Sequence, residues 1–141
     1  MKKLNLILAL LLSANIHALD LDQSVQQSLP KLNQLYLHLH QNPELSYQEE
    51  QTGKRLAKEL ELLGFDVTSN VGCLGVVGLY KNGNGPTVMI RADTDGLPVI
   101  EQTGKPYASK VRVLDKHNNQ VGVMHGCAHD IHMTSMIGTA E

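Results

Sequence analysis

Residues 56–80, LAKELELLGFDVTSNVGCLGVVGLY, decide the fold class because the spacing of apolar side chains changes within them. The leucines of the first part recur at the three- and four-residue steps of a helix face: Leu56, Leu60 and Leu63. Gly64 is expected to end this helix in a left-handed conformation. Residues 65–68 then alternate like a strand, and residues 75–80 predict a second strand.

The preceding residues predict another helix, over residues 22–41. Its apolar side chains recur with helical spacing: Val25, Leu29, Leu32, Leu35, Tyr36 and Leu39. Pro43 should stop it, because proline disfavours a helical conformation in the residue before it. Ser46 and Glu49 match a capping box, which places the start of the next helix there.

Beyond residue 80 the pattern favours strands and then a third helix. Residues 82–86 are a turn cluster, and residues 87–90 are apolar enough for a buried strand. Residues 99–122 predict a loop with one short hairpin, and residues 133–141 predict the beginning of a helix. Together these elements predict an α/β domain with a mixed sheet flanked by helices. Since the chain stops inside its last helix, we expect it to be a fragment.

The N-terminus has the layout of a secretory signal peptide. Lys2 and Lys3 precede an almost wholly apolar stretch at residues 4–12, and Ala18 is a suitable cleavage point. The apolar stretch is shorter than the roughly 20 residues that a membrane span needs. We therefore expect a periplasmic or secreted protein whose folded part is residues 19–141, with no membrane association after cleavage.

Composition excludes one class of partner. The formal net charge is −2, and aromatic residues make up 4% of the 141 residues. A nucleic-acid partner would normally require a basic patch or aromatic side chains for base stacking. We expect none.

Residues 125–132, HGCAHDIH, concentrate metal-binding side chains, with three His, one Cys and one Asp in eight positions. Imidazole and thiolate are preferred ligands of zinc and similar ions. In an extended or loop segment Cys127 and His129 would share one side, because alternate residues do. Asp130 and His132 are candidates for further ligands or for groups that orient the ligands. The alternative is a polar loop with exposed histidines.

A second polar cluster, Arg91, Asp93 and Asp95, follows the predicted strand at residues 87–90. Functional groups in α/β proteins tend to lie at the carboxyl ends of strands. The two carboxylates could therefore face a cleft. The alternative is a solvated turn.

The remaining candidates have structural interpretations. Cys73 and Cys127 could form a disulfide after export, or Cys73 could be a small buried apolar residue beside a metal-binding Cys127. His38 and His40 do not share a helix face, so one of them is expected at the surface and the other partly buried.

Several ordered motifs resemble the metallopeptidase branch that contains hippurate hydrolase, N-acyl-amino-acid amidohydrolases and the indoleacetyl-amino-acid hydrolases. The matching stretches cover about residues 28–141: residues 39–46 with Glu49 and Thr52, residues 72–78, residues 90–98, Glu101 with Thr103 and Gly104, and residues 124–132. The resemblance implies a zinc-peptidase-like catalytic domain that hydrolyses the amide bond of small N-acyl amino acids.

The same resemblance implies roles for individual residues. Cys127 and His129 correspond to metal ligands, whereas Asp93 and Asp95 support the site, and Asp130 and His132 could do so too. The cofactor would be two divalent ions, zinc or manganese. Ala128 stands where the family usually has glycine, and a positive φ there would add strain of about 1 kcal/mol or more. Thr94 and Gly96 replace the usual Met and Ala.

Other parts of the family's active site would lie beyond residue 141. These are the catalytic Glu that serves as general base, an adjacent Glu ligand, two His ligands, and an inserted lid or dimerisation domain. We therefore expect little or no hydrolysis by the 141 residues alone, while homo-oligomers of a longer chain stay open. The alternative function is a non-catalytic metal-binding or remnant secreted protein.

Overall fold

A computed structural model describes residues 21–141, where three helices and two β-hairpins follow one another. The elements are α1 (Leu21–Gln41), α2 (Glu50–Leu62), β1 (Asp66–Val71), β2 (Gly75–Leu79), β3 (Arg112–Leu114), β4 (Gln120–Gly122) and α3 (His129–Ala140). The proposed signal peptide, residues 1–18, lies outside the described residues. Within residues 21–141 no helix is long and apolar enough to cross a membrane.

The core lies where the apolar faces of the three helices meet. Its buried side chains are Leu35, Leu39, Leu56, Leu60, Met133 and Ile137. Burying a side chain of this size contributes about 1.5–3 kcal/mol relative to leaving it exposed. The predicted first helix is confirmed as α1, although Val25 and Leu29 near its start remain exposed. The left-handed end of α2 is confirmed too, with φ +84° at Gly64.

The predicted capping box at the start of α2 is wrong. The helix begins at Glu50, and its N-cap residue Glu49 makes no side-chain capping bond. Instead, the carboxylate of Glu44 accepts hydrogen bonds from the backbone N–H groups of Gln51, at 3.1 Å, and Thr52, at 2.7 Å. A tight turn before the helix, with φ +66° at Tyr47, brings Glu44 back over these free N–H groups.

The α/β class is confirmed, with small sheets. Strands β1 and β2 pair antiparallel, with Asp66 opposite Leu79, and β3 and β4 form a second antiparallel hairpin within the predicted loop at residues 99–122. The one parallel pairing among residues 21–141 is an isolated bridge between Leu45 and Gly96. A further antiparallel bridge joins Leu97 to Met124. These two bridges hold the segments that carry the candidate site.

The predicted buried strand at residues 87–90 is wrong. These residues belong to no strand, and Val88 and Met89 are 82% and 85% exposed. A strand is stabilised by hydrogen bonds to a neighbouring strand, and no strand within residues 21–141 pairs with this segment. The apolar composition was therefore a poor guide to burial here.

Candidate metal centre

Two polar segments meet through backbone pairing. The N–H of Leu97 donates to the carbonyl of Met124 at 2.8 Å, and the N–H of Met124 donates back to Leu97 at 3.1 Å. On the other side, the N–H of Gly96 donates to the carbonyl of Glu44 at 2.7 Å. Asp95 therefore lies next to the segment that contains His125, Cys127 and His129.

His129 is oriented by Asp95. Its Nδ1 lies 2.8 Å from the carbonyl oxygen of Asp95 and 3.2 Å from the Oδ1 carboxylate atom of the same residue. Both partners are acceptors, so the geometry favours a proton on Nδ1. The lone pair of a neutral ring would then be on Nε2, which is the arrangement of a metal-binding histidine held by an outer acceptor.

The segment before His129 is a turn, whereas the sequence predicted an extended or loop segment. Helix α3 begins at His129, four residues before the predicted start, and its N-cap residue Ala128 has φ 60° and ψ 27°. This left-handed residue turns the chain between Cys127 and His129, so the argument from alternation along an extended segment was wrong. The conformation expected to strain a residue with a Cβ is therefore present at Ala128.

The two cysteines are free and exposed. Cys73 and Cys127 form no disulfide, and the expectation that Cys73 is buried is wrong. Cys73 lies in the tight connection between β1 and β2, where the short turn leaves its side chain in solvent. The thiol of Cys127, two residues before the oriented His129 in sequence, is thus free to bind an ion.

The other predicted site residues are arranged unevenly. Asp130 is buried, whereas the side chain of Asp93 is 45% exposed and pairs with Arg91. His132 is exposed, and its ring lies 6.0 Å from that of His129, centroid to centroid. Of these carboxylates, Asp95 contacts the candidate ligand His129, Asp130 is buried beside His40, and Asp93 pairs with Arg91 instead.

Sequence reasoning missed a buried network around His40. Its Nδ1 lies 2.6 Å from Oδ2 of Asp130, and its Nε2 lies 3.2 Å from Oε1 of Glu101. The side chains of His40, Glu101 and Asp130 are only 12%, 0% and 3% exposed. The prediction that one of the two histidines is exposed and the other partly buried is confirmed, with His38 exposed and His40 partly buried. No local pattern indicated the two carboxylate partners of His40.

The network shifts the titration of its members. Burial opposes a charge on His40, yet the hydrogen bonds and charges of Asp130 and Glu101 outweigh it and raise the pKa of His40. Burial likewise opposes the charge on Glu101, but hydrogen bonds from Thr103, Ser109 and His40 lower its pKa. A positive His40 between two carboxylates is the favoured state.

His125 is a second buried histidine, only 6% exposed. Neither of its ring nitrogens makes a hydrogen bond of normal geometry within the described residues. Burial lowers the pKa of His125, although the charge of Asp130 and the backbone of Asp95 oppose the shift. A neutral ring is therefore favoured.

The donor set matches a metal centre in kind but is incomplete in number. Cys127 and His129 supply a thiol and an imidazole, the donor types that zinc prefers. Within residues 21–141, however, no three His, Cys, Asp or Glu side chains come together to hold an ion. The described residues fit part of a centre.

Comparison with known proteins agrees with this reading. Residues 89–141 match the family model described as peptidase family M20/M25/M40. The chain is similar to this family over part of its length. The matched residues contain both Asp95 and the Cys127 to Asp130 segment, so both segments of the candidate site lie in the region of similarity.

Individual relatives extend the similarity over most of the chain. Hippurate hydrolase of Campylobacter jejuni is 42% identical over 104 residues, which cover 73% of this chain and 25% of the relative. N-acetylcysteine deacetylase of Bacillus subtilis is 44% identical over 105 residues, 72% of this chain and 25% of the relative. The chain spans less than a third of the length of the curated relatives that it matches.

Among solved structures, the YXEP protein of Bacillus subtilis, described as a dinuclear metal-binding peptidase of family M20, aligns with a TM-score of 0.69. The sequences are 38% identical, and the alignment covers 82% of this chain and 30% of that protein. The fold of the described residues is therefore that of part of an M20 peptidase.

Proposed function

We propose that the protein takes part in metal-dependent hydrolysis of the amide bond of N-acyl amino acids. Relatives named for hippurate and N-acetylcysteine support a small substrate that joins an acyl group to an amino acid. The observation that carries the proposal is the fixed ring of His129, which is held at Nδ1 by Asp95 and lies two residues after Cys127, whose thiol is free. Residues 19–141 would form part of the catalytic domain.

In this proposal Cys127 and His129 hold the metal. Asp95 fixes the tautomer and orientation of His129, while Asp130, His132 and Asp93 support the site less directly. A bound divalent ion, zinc or manganese, would polarise the substrate carbonyl and lower the pKa of a water. Two ions per protein are proposed, because the YXEP protein is described as dinuclear.

The donor count limits what these residues can do alone. A catalytic zinc usually has about three protein ligands and a water, and residues 21–141 contribute two matched donors. We therefore expect the 141-residue chain by itself to hydrolyse little or no substrate. The general base, a glutamate in the family resemblance, is not assigned to any of the described residues.

An alternative is a non-catalytic metal-binding protein built on the same segments. The absence of a three-donor group within residues 21–141 favours this alternative for the chain taken alone. The two functions predict the same Cys127-dependent metal binding. They differ in hydrolysis by the native protein.

We also propose that the protein is exported to the periplasm or beyond. The support is the positively charged start and short apolar stretch of residues 1–18. N-terminal sequencing of the protein from its native cells should find a start near Leu19. A mature protein that retains Met1 would contradict export by this route.

The test of metal binding is a titration with Co²⁺, which reports a thiolate ligand by charge-transfer absorption. We expect this absorption in the wild type and in Cys73→Ser, the matched control, and its loss in Cys127→Ser. Equal absorption in Cys127→Ser would contradict the assigned ligand. The native protein should also release amino acid from hippurate or N-acetylcysteine, whereas metal binding without any such release would favour the alternative.

A further inference from the structure

His40 joins two stretches of the chain that lie on either side of the candidate ligands. Through Nδ1 it contacts Asp130, the residue immediately after His129. Through Nε2 it contacts Glu101, which is 61 residues away in sequence. Since His40 lies near the end of the long helix α1, both contacts start from a rigid element.

The contact with Asp130 fixes the start of α3. The second carboxylate oxygen of Asp130, Oδ1, accepts a hydrogen bond from the backbone N–H of Ile131 at 2.9 Å. The N-cap residue Ala128 makes no side-chain capping bond, and Asp130 is the acidic residue in the first turn of this helix. A change in the position of Asp130 would therefore move His129 beside it.

The contact with Glu101 leads to the other end of the same segment. Oε2 of Glu101 accepts the backbone N–H of Ser109 at 2.5 Å. The hydroxyl of Ser109 donates to the carbonyl of Val123 at 2.7 Å. Val123 is fully buried and lies two residues before His125. His40 is thus connected to Val123 on one side of Cys127 and to Asp130 on the other.

Aromatic rings shield this connection from water. The ring of Tyr36 lies 5.5 Å from that of His40, and the ring of Tyr107 lies 5.3 Å away in an edge-on arrangement. Removing one member of a buried charged group leaves its partners uncompensated, which disturbs their positions as well as their energy. The network of His40, Asp130 and Glu101 is therefore placed to restrain the position of the segment that contains Cys127 and His129.

We infer that His40 is a positioning residue that fixes the Cys127–His129 turn for metal binding, acting through Asp130 at one end and Glu101, Ser109 and Val123 at the other. The inference rests on the proposed metal-binding function. A purely structural histidine would contribute to folding stability alone, whereas a positioning residue also contributes to the affinity for the ion.

The experiment compares His40→Gln with His38→Gln in the purified protein. His38 lies on the same helix and is exposed, so it is a matched control. Co²⁺ affinity is measured by competition with a chromophoric chelator, and the thiolate charge-transfer absorption is recorded for each protein. Urea unfolding of the metal-free proteins, done in parallel, gives the stability of each variant.

We expect His40→Gln to weaken Co²⁺ binding by about 10–100-fold, the usual cost of losing a group that orients a metal ligand. His38→Gln should keep the wild-type affinity. A folded His40→Gln protein that is less stable but binds Co²⁺ as tightly as the wild type would overturn the inference. If the wild type itself shows no Cys127-dependent absorption, the proposed function fails first.

A second variant keeps the inference testable if His40→Gln does not fold. Glu101→Gln keeps the shape of the side chain and removes its charge, and it lies outside the proposed ligand segment. It should weaken Co²⁺ binding in the same direction by a smaller factor. Wild-type affinity in a folded Glu101→Gln protein would then overturn the connection through Glu101 and Ser109.

Discussion

Replacing Ala128 by glycine should stabilise the protein, although it removes a methyl group. Ala128 has φ 60° and ψ 27°, a conformation that costs a residue with a Cβ about 1–2 kcal/mol. Glycine adopts it without that cost, but its greater freedom in the unfolded chain takes back about 0.4–1 kcal/mol. The middle of each range leaves a net stabilisation of about 0.8 kcal/mol for Ala128→Gly.

The assay is urea unfolding of wild type and variant under metal-free conditions. With a typical dependence of about 2 kcal/mol per molar urea, the midpoint should rise by about 0.4 M. Ala57→Gly is the control of opposite sign, because Ala57 is buried in the interior of α2, where glycine costs about 1 kcal/mol. An Ala128→Gly midpoint at or below that of the wild type would refute the strain argument.

Three further changes test other contacts. Glu44→Ala should destabilise the protein by about 1 kcal/mol in urea unfolding, because two N–H groups of α2 lose their acceptor. Glu44→Gln keeps an acceptor oxygen and should lose less stability. Equal losses in the two variants would mean that the hydrogen bonds of Glu44 to α2 are unimportant. Gly96→Ala should lower the free energy of unfolding by about 1–3 kcal/mol, since the new Cβ would lie 2.8 Å from a methyl carbon of Val123. Gly85→Ala is the control, because its new Cβ meets nothing within 4 Å. Similar urea midpoints for the two variants would contradict the close packing at Gly96. The stability that His40 contributes is complete below its usual pKa of 6.5 and is lost as pH rises through its raised folded pKa. The urea midpoints of the wild type, measured from about pH 6 to 9, should therefore fall relative to those of His40→Gln. Parallel midpoint curves for the two proteins would contradict the raised pKa.

The helices were predictable because their signals are local. The apolar spacing of α1 and α2 and the glycine at the end of α2 each depend on neighbouring residues. The capping box failed for a related reason: Ser46 and Glu49 match the motif, but a tight turn at Tyr47 moves the helix start and lets Glu44 take the role. The sequence indicated Ser46 and Glu49 and gave no signal that Glu44 would reach the free N–H groups.

The candidate site was predictable in its segments and not in its contacts. The density of ligand-type residues identified residues 125–132, whereas Asp95 was named by an argument from the end of a strand that the structure does not contain. His40 gave no such signal, because its partners Asp130 and Glu101 are 90 and 61 residues away. Such partners are chosen by the packing of α1 on α3 and on the loop after Pro98, which no short window of sequence contains.

Two of the three departures from the family pattern, Ala128 and Gly96, differ in physical kind. At Ala128 the departure adds a Cβ where the backbone is left-handed, so its cost is conformational and reversing it should help. At Gly96 the departure removes a Cβ where Val123 and Pro43 leave no room, so restoring the usual alanine should harm. Gly96 packs closely against the segment before α2, and the adjacent Asp95 holds His129. The packing at Gly96 therefore also affects the position of the candidate ligand His129. Restoring the family residue should therefore stabilise the protein at residue 128 and destabilise it at residue 96, because the two residues have different neighbours in this chain.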